Sequence, residues 1–393
     1  MNIAILIPNL TTGGAERAAS ELGNHLCDIG DKVYYFLLAN SGRVFFEVSG
    51  EIVKTHIPYP FDRSSPAANI REMVFAARRL RNLKRKYEID VCISFMEGCN
   101  VLNICSRSLE ERVIISVRTV LSKRREYDGV FLYSKGLLKN IYRFADRIVA
   151  VSDGVCEDLI DNYEIKREKL VTIPNVSRQQ DLITNNDETK VSEWAYGNKT
   201  IVCVGRMDIV KQFDSILRAF SAVHRTEPDA RLVFVGDGRQ MNHMKSLRKS
   251  LGLENVVFFV GFQKNIGIYL KNARCFVMAS KAEGFPNAMV EAMAYGVPII
   301  STDTPGGCGE ILGRNDEIKG VVHCEYGVMT PYIYRYEMND EELSDEEVLL
   351  GKAMTEMLCD YELNAHYAGK ATERSQFYGI DNVMRMWDEL LRG

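Results

Sequence analysis

Ten cysteines occur in this chain, yet no two form a Cys-x-x-Cys pair; they stand singly at 27, 92, 99, 105, 156, 203, 275, 308, 324 and 359, mostly inside apolar runs. That scatter excludes a disulfide frame or a zinc site and reads as reduced core residues. No apolar run approaches the roughly 18 residues that span a bilayer. The first, Ile3 to Ile7, is too short for a secretion signal and lacks a charged leader. Neither sign of charge dominates: 49 Lys and Arg stand against 53 Asp and Glu, a net of −4, which argues against a dedicated nucleic-acid binder. No Asp-x-Asp follows a strand and no His/Cys cluster has ligand spacing, so a metal site is not expected. The complete Gly-x-Gly-x-x-Gly of a nicotinamide dehydrogenase is missing after the first strand, and no repeat or low-complexity tract stands out. These absences predict a cytoplasmic protein with no metal and no resident cofactor.

What is present is alternation. At 393 residues the chain exceeds the roughly 250 to 300 at which single cores stop growing, so two domains are expected. Strands are predicted at Asn2 to Ile7, Val33 to Leu38, Val91 to Phe95, Val113 to Val117 and Arg147 to Val151, with helical patterns between several of them, the first from Ala15 to Ile29. From Ser177 to Lys199 the periodicity gives way to polar residues, and strands resume at Thr200 to Val204, Arg231 to Val235, Val256 to Val260, Cys275 to Ala279 and Pro298 to Ser301. The fold class is α/β with parallel sheets covered on both faces. The expected division is an N-terminal domain over 1–175, a linker over 176–199, a C-terminal domain over 200–375 and a terminal helix over 376–393. That helix aligns Ile380, Val383, Met384, Trp387, Leu390 and Leu391 on one face, the spacing of a helix packed on a domain. The acidic stretch Glu337 to Glu347 reads as a solvated loop and helix start.

The densest pattern is Ala279 to Ile300, in which Glu283 and Glu291 flank a Gly-Phe-Pro-Asn turn between two apolar strands. Pro286 suits a first helical turn, Gly296 and Pro298 end the helix, and Glu291 is expected about two turns in. The turn then lies at the carboxyl end of a parallel strand, where α/β sheets bind ligands and helix N–H groups attract phosphate. Glu283 to Glu291 resembles the Glu-x7-Glu signature of retaining glycosyltransferases of the GT-B fold, in particular glycosyltransferase family four.

That resemblance covers nearly the whole chain and implies two Rossmann-like domains facing across a cleft, the last helix returning to the first domain. It implies that Glu283 contacts hydroxyls of a donor sugar, that Glu291 bonds the ribose, and that backbone groups from Phe285, Pro286, Asn287 and Ala288 meet a diphosphate. Gly205-Arg206 through Lys211 matches the family's Gly-Arg-x4-Lys element, whose two cations contact the diphosphate; Arg offers a planar fork and Lys a mobile point charge. Gly13 and Gly14 precede the first helix, as in a family loop that faces donor and acceptor, and glycine lets backbone approach a ligand. Gly261-Phe262 matches the place where relatives hold the base through backbone groups, while the Phe262 ring itself reads as core packing. Gly236-Asp237-Gly238 gives minor support, and Thr304 to Glu310 is another glycine turn beside the donor site, whose Cys308 has no activating neighbour in sequence.

Relatives often place a His in the N-terminal domain near the reacting sugar; here Ser94 to Asn100 and Ser116 to Thr119 contain none, and Glu97 and Arg118 are the acceptor-side candidates. Two basic segments follow. Arg71, Arg78, Arg79, Arg81, Lys84, Arg85 and Lys86 face one acid, Glu72, and Lys135, Lys139, Arg143 and Arg147 recur every four residues, a helical stripe with apolar neighbours. Lys135, Lys139 and Arg143 join the acceptor-side candidates. Such segments suit an anionic membrane or a lipid diphosphate, as does the net +3 of residues 1–175 against −7 for the rest.

The expected activity is retaining, metal-independent transfer of a hexose or N-acetylhexosamine from a nucleotide sugar, a UDP-sugar, to a polyprenyl-diphosphate-linked glycan. The setting is bacterial surface polysaccharide synthesis, capsule included, at the inner face of the plasma membrane. The alternatives are a non-catalytic nucleotide-sugar-binding scaffold and a sugar-nucleotide epimerase of the same fold.

Overall fold

The computed structural model describes residues 1–11, 13–38, 44–58, 66–128, 135–177, 199–334 and 342–393, with side chains omitted at 66–70 and 125–128. Most of the expected linker, 178–198, lies outside the described residues, as does the Glu337 end of the acidic stretch. Two compact units emerge, one formed by Met1–Val176 with Asp381–Gly393, the other by Ser177–Ile380.

The first unit holds strands β1 (Asn2–Ile7), β2 (Lys32–Leu37), β3 (Glu51–Lys54), β4 (Val91–Phe95), β5 (Arg112–Val117), β6 (Arg147–Ala150) and β7 (Leu170–Thr172). They form one parallel sheet in the order β3-β2-β1-β4-β5-β6-β7. Strand alternation sorts the core. Ile3, Ile5 and Ile7 enter one apolar cluster and Ala4 and Leu6 another, so both faces of β1 are buried, as a continuously apolar strand requires. The helix Ile380–Arg392 covers the first of these faces with Val383, Met384, Trp387, Leu390 and Leu391. Arg112 pins its end by donating to the carbonyls of Leu390 and Leu391 at 2.6 and 3.0 Å. Ile380, expected on the buried face, is half exposed.

The second unit holds β8 (Thr200–Val204), β9 (Arg231–Val235), β10 (Val257–Phe259), β11 (Cys275–Met278), β12 (Ile299–Thr302), β13 (Val322–His323) and β14 (Val328–Thr330). Their order is β10-β9-β8-β11-β12-β14-β13, parallel except for β13 against β14. Both sheets therefore reverse direction next to their first strand, at β1/β4 and at β8/β11, the switch points where such sheets bind ligands.

Sequence reading missed β3, β7, β13 and β14. The acidic stretch also needs correction. A helix does start there, at Asp345 behind the Ser344 cap, but Glu347 is fully buried. It closes a capping box with Ser344 and meets the Nε of equally buried Arg218 at 3.2 Å. This pair joins the helices Phe213–Thr226 and Asp345–Cys359, which pack so closely that a Cβ on Gly351 would lie 3.1 Å from the Ala219 carbonyl.

Candidate functional site

At the β8/β11 switch point three loops are laced together by backbone hydrogen bonds. Lys281 N–H donates to the Val210 carbonyl at 2.7 Å, Glu283 N–H to Pro305 at 3.0 Å, and Gly307 N–H to Glu283 at 3.0 Å. The lacing brings residues distant in sequence to one edge, where Lys211 Nζ lies 2.5 Å from Glu283 Oε1; within the Lys211 loop itself, Arg206 Nε lies 2.6 Å from Asp208 Oδ2. Arg206 is 74% exposed, whereas the side chains of Lys211 and Glu283 are 23% and 12% exposed. The Gly236 and Gly238 turn serves the Arg206 loop. A Cβ at Gly236 (φ 139°) would meet the Gly205 carbonyl oxygen at 1.9 Å, and one at Gly238 the Met207 oxygen at 2.3 Å. Cys308 lies fully buried beneath this edge; burial, then the Glu283 charge, pushes its thiol up, which keeps it a neutral packing group.

The next helix begins at Asn287, so Glu291 stands one turn in rather than two. It sits near Tyr295, whose hydroxyl is pushed up to about 12 by burial and then by the Glu291 charge. Tyr295 in turn closes on Gly267, where a Cβ would meet its hydroxyl at 2.0 Å. Phe285 is core, edge-on to Tyr378 at 5.3 Å. Pro286 has no N–H and the Asn287 N–H is bonded to Phe285 at 3.0 Å, so among the expected amides those of Phe285 and Ala288 are the ones this turn can present. Gly261 adopts φ 71°, which favours glycine, and its carbonyl accepts the Gly236 N–H at 2.8 Å. Phe262 corrects the packing expectation: its ring is 69% exposed.

The carboxyl end of the first sheet is furnished differently. Gly13 caps the helix Gly14–Asp28 in extended conformation, and a Cβ there would strike Glu16 Oε2 at 2.2 Å. The missing side chain lets Glu16 fold back over the helix start, where an anion would sit. Met96, after β4, takes φ 75°, a conformation that costs a non-glycine residue about 1–3 kcal/mol. It delivers a buried Glu97 whose Oε1 has no hydrogen-bond partner among the described residues. Burial pushes the Glu97 carboxyl above its ordinary 4.5, opposed by its own backbone N–H and by Arg124. Arg118, after β5, lies 5.4 Å over the Phe95 ring and donates to Ser116 Oγ at 3.3 Å and to Asn175. Burial pulls it down to about 10, so it remains a cation at neutral pH.

The basic segments need the largest revision. The helix Lys135–Tyr142 ends before Arg143, and Arg147 opens β6, so four cations do not share a helical stripe. Lys139 is paired with Glu164, Lys135 lies 3.8 Å from the same carboxylate, and Arg143 rests over Phe144 at 4.8 Å. In the helix Pro66–Lys86, Lys84 is fully buried against Glu111 and donates to Asn103 Oδ1 at 2.8 Å. Arg79 and Arg81 donate to backbone carbonyls at Thr55 and Cys105. The exposed face of this helix carries Arg71, Val74, Phe75, Arg78, Arg85 and Lys86.

Sequence reasoning overlooked two residues at the second sheet's edge. Asp208 accepts the Val210 N–H at 3.1 Å with one oxygen and Arg206 with the other; an Asp two residues before a turn amide is its only sequence signal. Gln212 holds φ 46° directly after Lys211 and donates to the Ile333 carbonyl at 3.3 Å, for which no pattern exists.

Known proteins bear on this arrangement. Residues 12–176 match the family described as Glycosyltransferase Family 4, and residues 185–326 that described as Glycosyl transferases group 1. The chain is 26% identical to N-acetylgalactosamine-N,N'-diacetylbacillosaminyl-diphospho-undecaprenol 4-alpha-N-acetylgalactosaminyltransferase of Campylobacter jejuni, covering 98% of this chain and 97% of that one. It is 22% identical to an amylovoran biosynthesis glycosyltransferase of Erwinia amylovora, over 99% of each. Among solved structures it resembles Anabaena HepE in complex with UDP and glucose, with a TM-score of 0.75 at 19% identity over 100% of this chain and 99% of the other. WaaG, a glycosyltransferase involved in lipopolysaccharide biosynthesis, gives a TM-score of 0.70 at 15% identity over 100% of each. The chain therefore belongs to the GT-B glycosyltransferases, with a family 4 domain followed by a group 1 domain.

Proposed function

We propose that this glycosyltransferase moves a hexose or N-acetylhexosamine, with retention and without a metal, from a UDP-sugar to a polyprenyl-diphosphate-linked glycan in bacterial surface polysaccharide synthesis. The observation that carries the reading is the convergence of Arg206, Lys211 and Glu283 at the β8/β11 switch point. Two cations beside a carboxylate fit a sugar diphosphate: the cations offset charge that grows on the departing phosphate, and the carboxylate accepts sugar hydroxyls. Glu291 takes the ribose, Phe262 stacks on the base, and the incoming hydroxyl loses its proton to the leaving phosphate. The diphospho-undecaprenol in the Campylobacter relative's name supports the acceptor class, and the UDP bound by the Anabaena protein supports the donor. Retention rests on the likeness of Glu283 to Glu291 to the Glu-x7-Glu signature.

Glu97 and Arg118 are the acceptor-side residues of this reading; Lys135 and Lys139, paired with Glu164, are set aside from it. Membrane contact is assigned to the exposed basic and aromatic face from Arg71 to Lys86, which suits an anionic surface. Among the described residues no helix is long and apolar enough to cross a membrane.

A thermal-shift screen of UDP-, GDP- and ADP-sugars, followed by transfer to an undecaprenyl-diphosphate glycan with and without EDTA, tests the proposal. Stabilisation by a UDP-sugar and EDTA-resistant transfer are expected; strict dependence on a divalent ion would refute the cation mechanism. Flotation with vesicles of anionic and of neutral lipid tests the membrane face, and equal binding to both would remove it.

A further inference from the structure

Both cations assigned to the diphosphate already hold a carboxylate of this chain. Lys211 is paired with Glu283 at 2.5 Å and Arg206 with Asp208 at 2.6 Å. Asp208 is fixed by its turn, since its second oxygen accepts the Val210 N–H at 3.1 Å. A diphosphate reaching this edge thus meets cations whose charge is locally cancelled. It gains Lys211 only by displacing Glu283, and a displaced Glu283 remains partly buried beside a second anion, with no other side-chain donor among the described residues. Leaving a buried charge unpaired is costly. A nucleotide sugar changes the exchange, because its sugar hydroxyls donate to the carboxylate that Lys211 releases.

We infer that Glu283 is an internal competitor for Lys211 that only the donor sugar removes, so that the site holds a nucleoside diphosphosugar in preference to the nucleoside diphosphate left after transfer. The inference rests on the donor-site reading above. It gives Glu283 a second role: once the sugar has departed, its carboxylate reclaims Lys211 and expels the product. Asp208 does the same for Arg206 more weakly, because that pair is largely exposed and screened by solvent.

Calorimetric titration of the full chain with UDP, and separately with a UDP-sugar that the wild type binds, tests this. Glu283→Gln is expected to tighten UDP about tenfold, the scale of one partly buried charge pair, while weakening the UDP-sugar. Asp208→Asn, which leaves the sugar contacts in place, is expected to tighten both ligands by no more than about threefold. Unchanged or weaker UDP binding by Glu283→Gln, with UDP binding lost in Lys211→Ala, would overturn the competition while leaving the diphosphate site standing. Wild-type UDP affinity in Lys211→Ala would overturn the site itself and the inference with it.

Discussion

The two sheets share one strand order through five strands but equip their carboxyl ends in opposite ways. On the second, charges are paired and partly exposed, with Lys211 on Glu283 and Arg206 on Asp208. On the first, Glu97 is buried with one oxygen unbonded among the described residues, and half-buried Arg118 rests on Phe95, Ser116 and Asn175, while the charges of Arg124 and Glu21 act on the two of them. Paired, partly exposed charges suit a ligand that is bound and released every turnover, because the chain's own carboxylates take back the cations once the ligand leaves. A buried carboxyl whose proton affinity is raised by burial suits a fixed hydrogen-bonding role. One fold plan thus supports two kinds of site because the loops, not the sheet, carry the chemistry.

The largest effect should come from the fully buried pairs. Arg218→Met strands Glu347, and Lys84→Met strands Glu111; each should lower unfolding free energy by about 3–5 kcal/mol in denaturant titrations. Replacing both partners of a pair by apolar residues should restore most of the loss. If Arg218→Met alone were neutral, the buried pair would not be what joins the two helices of the second unit.

Next in size are the paired cations. Arg206→Ala and Lys211→Ala should each lower kcat by about 10²–10³, as for other groups aimed at a developing anion, with melting unchanged for the exposed Arg206 and lowered for Lys211, whose loss leaves a largely buried Glu283 unpaired. Equal losses from Arg118→Ala would erase the contrast between the two edges.

Smaller and opposite in sign is Glu97→Gln, expected to slow transfer about tenfold, the lower range for a positioned acid or base, yet to stabilise the fold. The sign follows from burial. A carboxyl held above 4.5 keeps its proton in the folded state to a higher pH than in the unfolded chain. Its contribution is complete below 4.5 and is lost as pH rises through the folded value. Glu97→Gln should therefore gain stability at pH 8 and nothing at pH 4; a gain independent of pH would show that Glu97 is not the titrating group. Last comes Phe262→Ala, which should weaken nucleotide binding several-fold through lost stacking of about 1 kcal/mol, without altering the melting temperature of a chain in which the ring is already exposed.

The same contrast explains what could be read from sequence. The βαβ rhythm was legible because buried parallel strands must be continuously apolar, and Arg206, Lys211 and Glu283 were legible because each follows such a strand in a contiguous motif. Pairings between distant residues were not. Lys84 looked like one more cation on a basic helix, and Glu347 like one more acid in a solvated run, until Glu111 and Arg218 came into contact with them. The short strands β3, β7, β13 and β14 have two to four residues each, too few to show a period. Phe262 was misread because an aromatic residue after an apolar strand usually enters the core, whereas the left-handed turn at Gly261 directs this one to solvent.

The central claim, that donor binding belongs to the carboxyl end of the second sheet, is tested most directly by titrating UDP into two double variants. Arg206→Ala with Lys211→Ala should abolish binding, and Glu97→Gln with Arg118→Lys should bind as the wild type does. Retained binding in the first and loss in the second would contradict the account.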